Sequence, residues 1–223
     1  MNINYKEILF FIAKCLTIND DKHNKIIIEK LLKSNTIDWE SVVELSTAHL
    51  VYPSLYCNLR KACFLSYLPK DLVFHMENIT SLNRKRNKQI INQAKELNNL
   101  LLEHKITPVF IKGTGNLLEG LYEDIGERMV GDIDFIFSKE EYPRAIQLLK
   151  ENGYSSIYNT DYIFPEYKHY PRLVKDGKIS SIEIHKEILS EKYAHEFNYD
   201  SIINSCFIHD DIKVLSYENQ LIL

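Results

Sequence analysis

The feature that most narrows the possible folds is a change of texture at Ile106. Before it, apolar residues recur at helical spacing in "IIIEKLLKS", "WESVVELSTAHLVYPSLYCNLRKA" and "PKDLVFHMENITSLNRKRNKQIINQAKELNNLLLEH", separated by short polar breaks. After it comes "ITPVFIKG", a short β-rich run stopped by glycine, and then "NLLEGLYEDI", which returns to helical spacing. "GDIDFIFS" reads as a second strand, "KEEYPRAIQLLKENGY" as a helix ending at Gly153, and "KHYPRLVKDGKISSIEIHKEI" as a hairpin turning at Asp176-Gly177. The expected organisation is a helical region over 1–104 and an α/β core over 105–223. No repeat or low-complexity linker divides them, so they are expected to pack as one body. The fold class is α+β.

"VLSYENQLIL" at the end reads as the opening turns of a helix, with a C-terminal element expected to be missing or very short. At the other end, "MNINYKEILFFIAKCL" is apolar at helical spacing but interrupted by Lys6, Glu7 and Lys14, which suits a packed helix rather than a membrane span or leader peptide.

Charge and cysteine content exclude several classes. The formal net charge is −4, so there is no strong nucleic-acid signal, and a polyanionic partner would have to be met by a local basic surface. The basic run "NRKRNK" at 83–88 reads as a solvated helix face. Cys15, Cys57, Cys63 and Cys206 form no CxxC pair and no zinc-ligand spacing, which fits reduced thiols in a cytoplasmic protein.

Asp132 and Asp134 open an otherwise apolar strand pattern. Residues i and i+2 of a strand share a face, so these carboxylates would project together, with Ile133 and Phe135 opposite. Taken alone, an Asp-x-Asp is as easily a turn or a solvated strand end. Here, however, "KGTG" stands upstream between strand and helix patterns, where backbone N–H groups and a helix dipole can receive phosphate. A divalent ion would relieve the repulsion of the two carboxylates. In "SSIEIHKEI", alternation sets Glu183 and His185 on one face and Ile182 and Ile184 on the other, so Glu183 can supply a third carboxylate.

The order strand–Gly–helix–"DIDFIF"–helix–strand resembles the polymerase-beta-type nucleotidyltransferase superfamily. "FIKG", "ERMVGDIDFIF", "NGY", "HYPRL" and "IEIHKEI" are more specifically similar to its bacterial branch of uncharacterised nucleotidyltransferases. In that branch "KG" stands where Gly-Ser is usual, and an arginine precedes the Asp-x-Asp. The resemblance extends to the helical first half through "WESVVELSTAHLVYPSLYCNLRK". The chain departs from the superfamily pattern in the long gap between Gly113 and Asp132 and in having no serine beside the glycine.

The resemblance implies a nucleotidyltransferase-like mixed sheet with flanking helices. It also implies Mg²⁺ (or Mn²⁺) on Asp132 and Asp134, and Glu183 in the third carboxylate position, as general base or metal ligand. Lys112, Gly113 and Arg128 would meet the triphosphate, with Thr114 beside them, although Thr114 would cap the following helix in any case. His169 and His185 are secondary candidates, since a histidine on a polar face is more often a structural hydrogen-bond partner than a catalyst. The implied reaction transfers a nucleoside monophosphate from an NTP, ATP included, to an unidentified hydroxyl of a small molecule, a protein side chain or an RNA end. Two rival readings are a catalytically silent nucleotide-binding or protein-interaction module of the same fold, and a sugar-nucleotide-dependent glycosyltransferase.

Overall fold

The structure is a computed structural model describing residues 5–157, 169–189 and 192–223. The first four residues of the expected N-terminal helix, and Lys168 at the start of the expected hairpin, lie outside them. The chain divides into two compact units. One runs up to Arg86 and takes in Asp124–Met129; the other comprises Asn87–Glu123 and Val130–Leu223.

The first unit is helical: α1 Tyr5–Thr17, α2 Lys22–Ser34, α3 Trp39–Ala48, α4 Tyr52–Lys61 and the first half of α5 Lys70–Glu103. In α1, Ile8, Phe11, Ile12 and Cys15 are buried at helical spacing and form one core with Leu55, Tyr56 and Leu59 of α4 and Met76 of α5. Asp21 caps α2 by accepting from the N–H groups of His23 and Asn24, and Asp38 caps α3 through Ser41 N–H.

Segment 124–129 is fastened into this unit by charge. Arg84 donates from Nε and Nη2 to the two Asp124 oxygens at 2.8 and 2.7 Å, and Arg60 Nη2 donates to Oδ2 at 2.9 Å. Asn83 Nδ2 donates to the carbonyls of Gly126 and Arg128. The run 83–88 is therefore not the solvated face its composition suggests: Asn83 and Asn87 are buried, and Arg84 is committed to Asp124.

The second unit holds a mixed sheet of seven described strands: β1 Val109–Phe110, β2 Ile133–Ile136, β3 Ser155–Ser156, β4 Leu173–Val174, β5 Ile182–His185, β6 Phe207–His209 and β7 Ile212–Val214, in the order β3-β4-β5-β2-β1-β7-β6. Its helices are α6 Lys112–Glu119, α7 Glu141–Glu151, α8 Tyr199–Ile202 and α9 Tyr217–Gln220, with the second half of α5. β2 lies antiparallel to β1 and parallel to β5, and β1 is parallel to β7. The α+β class and mixed sheet are as expected.

The expected hairpin is also present. Asp176-Gly177 forms the turn, closed by Lys178 N–H on the Lys175 carbonyl at 3.1 Å, and Leu173 pairs with Ile182. Gly177 adopts φ +76°, a conformation open to glycine at little cost. α6 starts earlier than its apolar spacing indicates and stops at Glu119, where Gly120 turns left-handed at φ +78°. The helix has no side-chain cap: Thr114 lies within it and donates its hydroxyl to the Asp132 carbonyl at 2.7 Å. The expected capping role gives way to a tie between α6 and the entry to β2.

Candidate active site

Register assembles the site. In the parallel β2–β5 pair, Asp134 stands opposite Glu183 and Ile136 opposite His185, so alternation brings Asp134, Glu183 and His185 to one face. The other face carries Phe110, Phe135 and Phe137 in successive edge-to-face contacts. On the site face the chemistry changes along β2: Asp134 sits in the polar part, while Ile136 joins a buried cluster with Val109, Ile111, Ile188, Ile202 and Leu215. α5 holds the entry to β5 in place. Gln93 donates to the Ser180 carbonyl at 2.8 Å and accepts from Ser180 N–H at 3.1 Å.

The carboxylates are compensated by two side-chain cations. Lys112 Nζ lies 2.6 Å from Asp134 Oδ1, 3.3 Å from His185 Nε2 and 3.5 Å from Glu183 Oε2. Arg172 Nη2 lies 2.9 Å from Asp132 Oδ2 and 2.5 Å from Glu183 Oε1, and its Nε donates to the same Glu183 oxygen at 3.2 Å. Glu183 therefore divides its two oxygens between an arginine and a lysine. Asp132, just ahead of β2, also accepts from Ser181 Oγ at 2.8 Å.

The asymmetry of burial matters: the Asp134 and Glu183 side chains are 9% exposed, Lys112 36% and Arg172 42%. His185, Arg172 and Lys112 hold the Glu183 carboxyl well below the usual carboxylate range, against the opposing effect of burial. Glu183 is thus ionised at neutral pH.

Lys112 makes its contacts from an uncommon backbone. Its φ is +54°, a left-handed conformation that costs a non-glycine residue roughly 1–2 kcal/mol. Its N–H donates to Gln220 Oε1 of α9 at 3.1 Å, which helps to hold that geometry. Gly115, one turn into α6, packs so tightly that an added Cβ would lie 2.8 Å from the Phe110 carbonyl oxygen.

Of the residues singled out from sequence, Lys112, Asp132, Asp134, Glu183 and His185 meet in one cluster. His169 lies beside it, in a backbone bridge to His185 with ring centroids 5.4 Å apart. Gly113 and Thr114 are buried in the first turn of α6. Arg128 belongs to the first unit, whereas every member of the cluster comes from the second.

Arg172 and Ser181 are additions. Arg172 lies within "HYPRL"; counting outward from the Asp176-Gly177 turn would set it opposite Ser181, whereas the observed pairing of Leu173 with Ile182 brings it level with Glu183. Asp134, Glu183 and His185 can also each offer one ligand atom to a cation, all within 4.8 Å of one another.

Residues 35–223 match the family model described as "Uncharacterised nucleotidyltransferase". The chain belongs to this nucleotidyltransferase family. The match takes in the entire carboxylate cluster and all but the first helices. No curated protein matches the chain. Among the described residues of this family member, no helix is long and apolar enough to cross a membrane.

Proposed function

We propose that the chain is a divalent-metal-dependent nucleotidyltransferase of the polymerase-beta type, working in the cytoplasm. It transfers a nucleoside monophosphate from an NTP to an acceptor hydroxyl. The acceptor oxygen bonds to the α-phosphorus, the bond to the bridging oxygen breaks, and pyrophosphate leaves. The observation that carries this reading is the in-register meeting of Asp134 and Glu183 with His185, with Lys112 and Arg172 at the same point. Family membership supports the reaction class.

The donor set fits a divalent cation: two buried carboxylates and a buried imidazole, close enough to share one ion. When bound there, a divalent ion supplies charge neutralisation for the triphosphate and for the transition state. The remaining roles belong to the chain. Glu183, ionised and gripped by Arg172, is suited to hold positive charge; its low proton affinity makes it a poor general base. Of the two roles expected for it, ligation is the better supported. Asp132 and Ser181 orient the guanidinium of Arg172, which can offer paired donors to phosphate oxygens. Lys112, about a third exposed, can present its ammonium to phosphate. Gly113 and Thr114 contribute the first turn of α6 as a further phosphate-facing element.

The test incubates the chain with each α-labelled NTP, Mg²⁺ or Mn²⁺ and a cell extract, and follows transferred label. Glu183→Gln should cut transfer by about 10²-fold or more and raise the divalent-ion concentration that nucleotide binding requires. Transfer within about threefold of wild type would remove Glu183 from the mechanism. No transfer from any NTP, together with intact nucleotide binding, would favour the catalytically silent module.

A further inference from the structure

We propose that the Lys112 ammonium is the resident cation of the Asp134–Glu183–His185 trio, and that a divalent ion with affinity for nitrogen ligands, of the Mn²⁺ or Zn²⁺ class, enters by replacing it. The same three atoms that would ligate an ion, Asp134 Oδ1, His185 Nε2 and Glu183 Oε2, are those around Lys112 Nζ, at 2.6, 3.3 and 3.5 Å. An ion bound to carboxylate and imidazole sits about 2.0–2.2 Å from its ligands. It would therefore fall on the space the ammonium occupies, and two positive centres in so buried a pocket repel strongly. One must leave.

Burial decides which group moves. The carboxylates are 9% exposed and His185 1%, whereas the Lys112 side chain is 36% exposed and has a route to solvent. Arg172 is no obstacle, because it grips Oε1 of Glu183 and leaves Oε2 to the trio. The left-handed backbone at Lys112, where glycine would be unstrained, shows that a lysine is retained there at a conformational cost. The imidazole in the donor set favours Mn²⁺ or Zn²⁺ over Mg²⁺, which prefers oxygen ligands.

Where the nucleotidyltransferase reading holds, the displaced ammonium becomes available to the triphosphate. Metal entry and phosphate binding then strengthen each other by the same factor.

The experiment titrates the full chain with Mn²⁺ alone, following free Mn²⁺ by electron paramagnetic resonance, with no nucleotide present. Lys112→Met and Lys112→Gly should each bind Mn²⁺ at least about tenfold tighter than wild type, because a competing charge in direct contact has been removed. Glycine suits the +54° backbone, so the second variant tests the ammonium without added strain. Adding Asp134→Asn to Lys112→Gly should abolish the gain. Mg²⁺ added as a competitor that releases bound Mn²⁺, read from the same Mn²⁺ signal, should show a smaller gain in affinity than Mn²⁺.

If neither variant tightens Mn²⁺ binding, the ammonium does not hold the ion's place and the proposal is overturned. An equal or larger gain for Mg²⁺ would overturn the nitrogen-ligand part. Variants that bind Mn²⁺ tighter, in a chain that transfers from no NTP, would support the exchange while refuting the transferase reading.

Discussion

Replacing Arg172 with methionine keeps much of the aliphatic bulk and deletes the guanidinium. Three hydrogen bonds are lost, two to Glu183 and one to Asp132. A hydrogen bond to a charged group contributes about 1.5–3 kcal/mol, but Arg172 is 42% exposed, and water can replace part of what it provides. Glu183, at 9% exposure, cannot be rehydrated so easily. The net expected loss is about 2–3 kcal/mol, or roughly 4–12 °C in the melting temperature of a chain this size.

Circular dichroism during heating and urea titration measures that loss. The double variant Arg172→Met with Glu183→Gln should be less destabilised than the two single losses combined, with a coupling of about 1 kcal/mol or more. The acid limb gives an independent reading. Because the folded carboxyl of Glu183 titrates below its unfolded value of about 4.3, its contribution is complete above that value and fades as pH falls. Arg172→Met should therefore lose less stability on acidification than wild type. A loss below about 0.5 kcal/mol with additive double-variant behaviour would show that the guanidinium contacts contribute little, as in ordinary surface pairs.

Asp124→Asn removes the charge that Arg84 and Arg60 hold in the first unit, and should cost about 2–4 kcal/mol in urea unfolding. Arg84 first of all, with Gly126 N–H and Arg60, keeps the Asp124 carboxyl well below its ordinary range, so wild type should lose this contribution as pH drops below about 4, and the variant should show a flatter acid limb. Gly115→Ala drives a Cβ against the Phe110 carbonyl, a main-chain atom that cannot swing aside; thermal denaturation should report a loss of about 1–3 kcal/mol, and an unchanged melting temperature would mean that α6 shifts freely.

Much of the site could be read from local patterns because alternation in a strand is a local property. Asp134, Glu183 and His185 each declared their face through the isoleucines and phenylalanine between them. Their mutual distance depends on the parallel pairing of β2 with β5, which no local pattern specifies. Arg172 escaped attention for a similar reason: it precedes the two-residue strand β4, and its significance comes from a register counted across a turn. The role of Arg84 needed a partner forty positions away.

Elements without a buried stripe were also missed. β6 is exposed throughout and β3 consists of two serines, so neither produces a periodic apolar signal. The extra turn at the start of α6 went unseen because Gly113, Thr114 and Gly115 are poor helix formers.

The Asp176-Gly177 turn gives loop length an unusual weight. Surface loops ordinarily absorb insertions and deletions with little consequence. Here the chain between β4 and β5 works as a ruler that decides which side chain faces Glu183. One residue added on the β4 side would bring Leu173 into the place of Arg172, send the guanidinium to the opposite face, and put Pro171, which has no N–H, where Tyr170 donates to the Ile184 carbonyl. Such a chain would keep its carboxylates but lose one of the two cations that Glu183 divides its oxygens between, leaving Lys112 alone to offset it. Among relatives of differing length, loop variation should therefore gather elsewhere, and this exposed turn should vary in composition but hold its residue count.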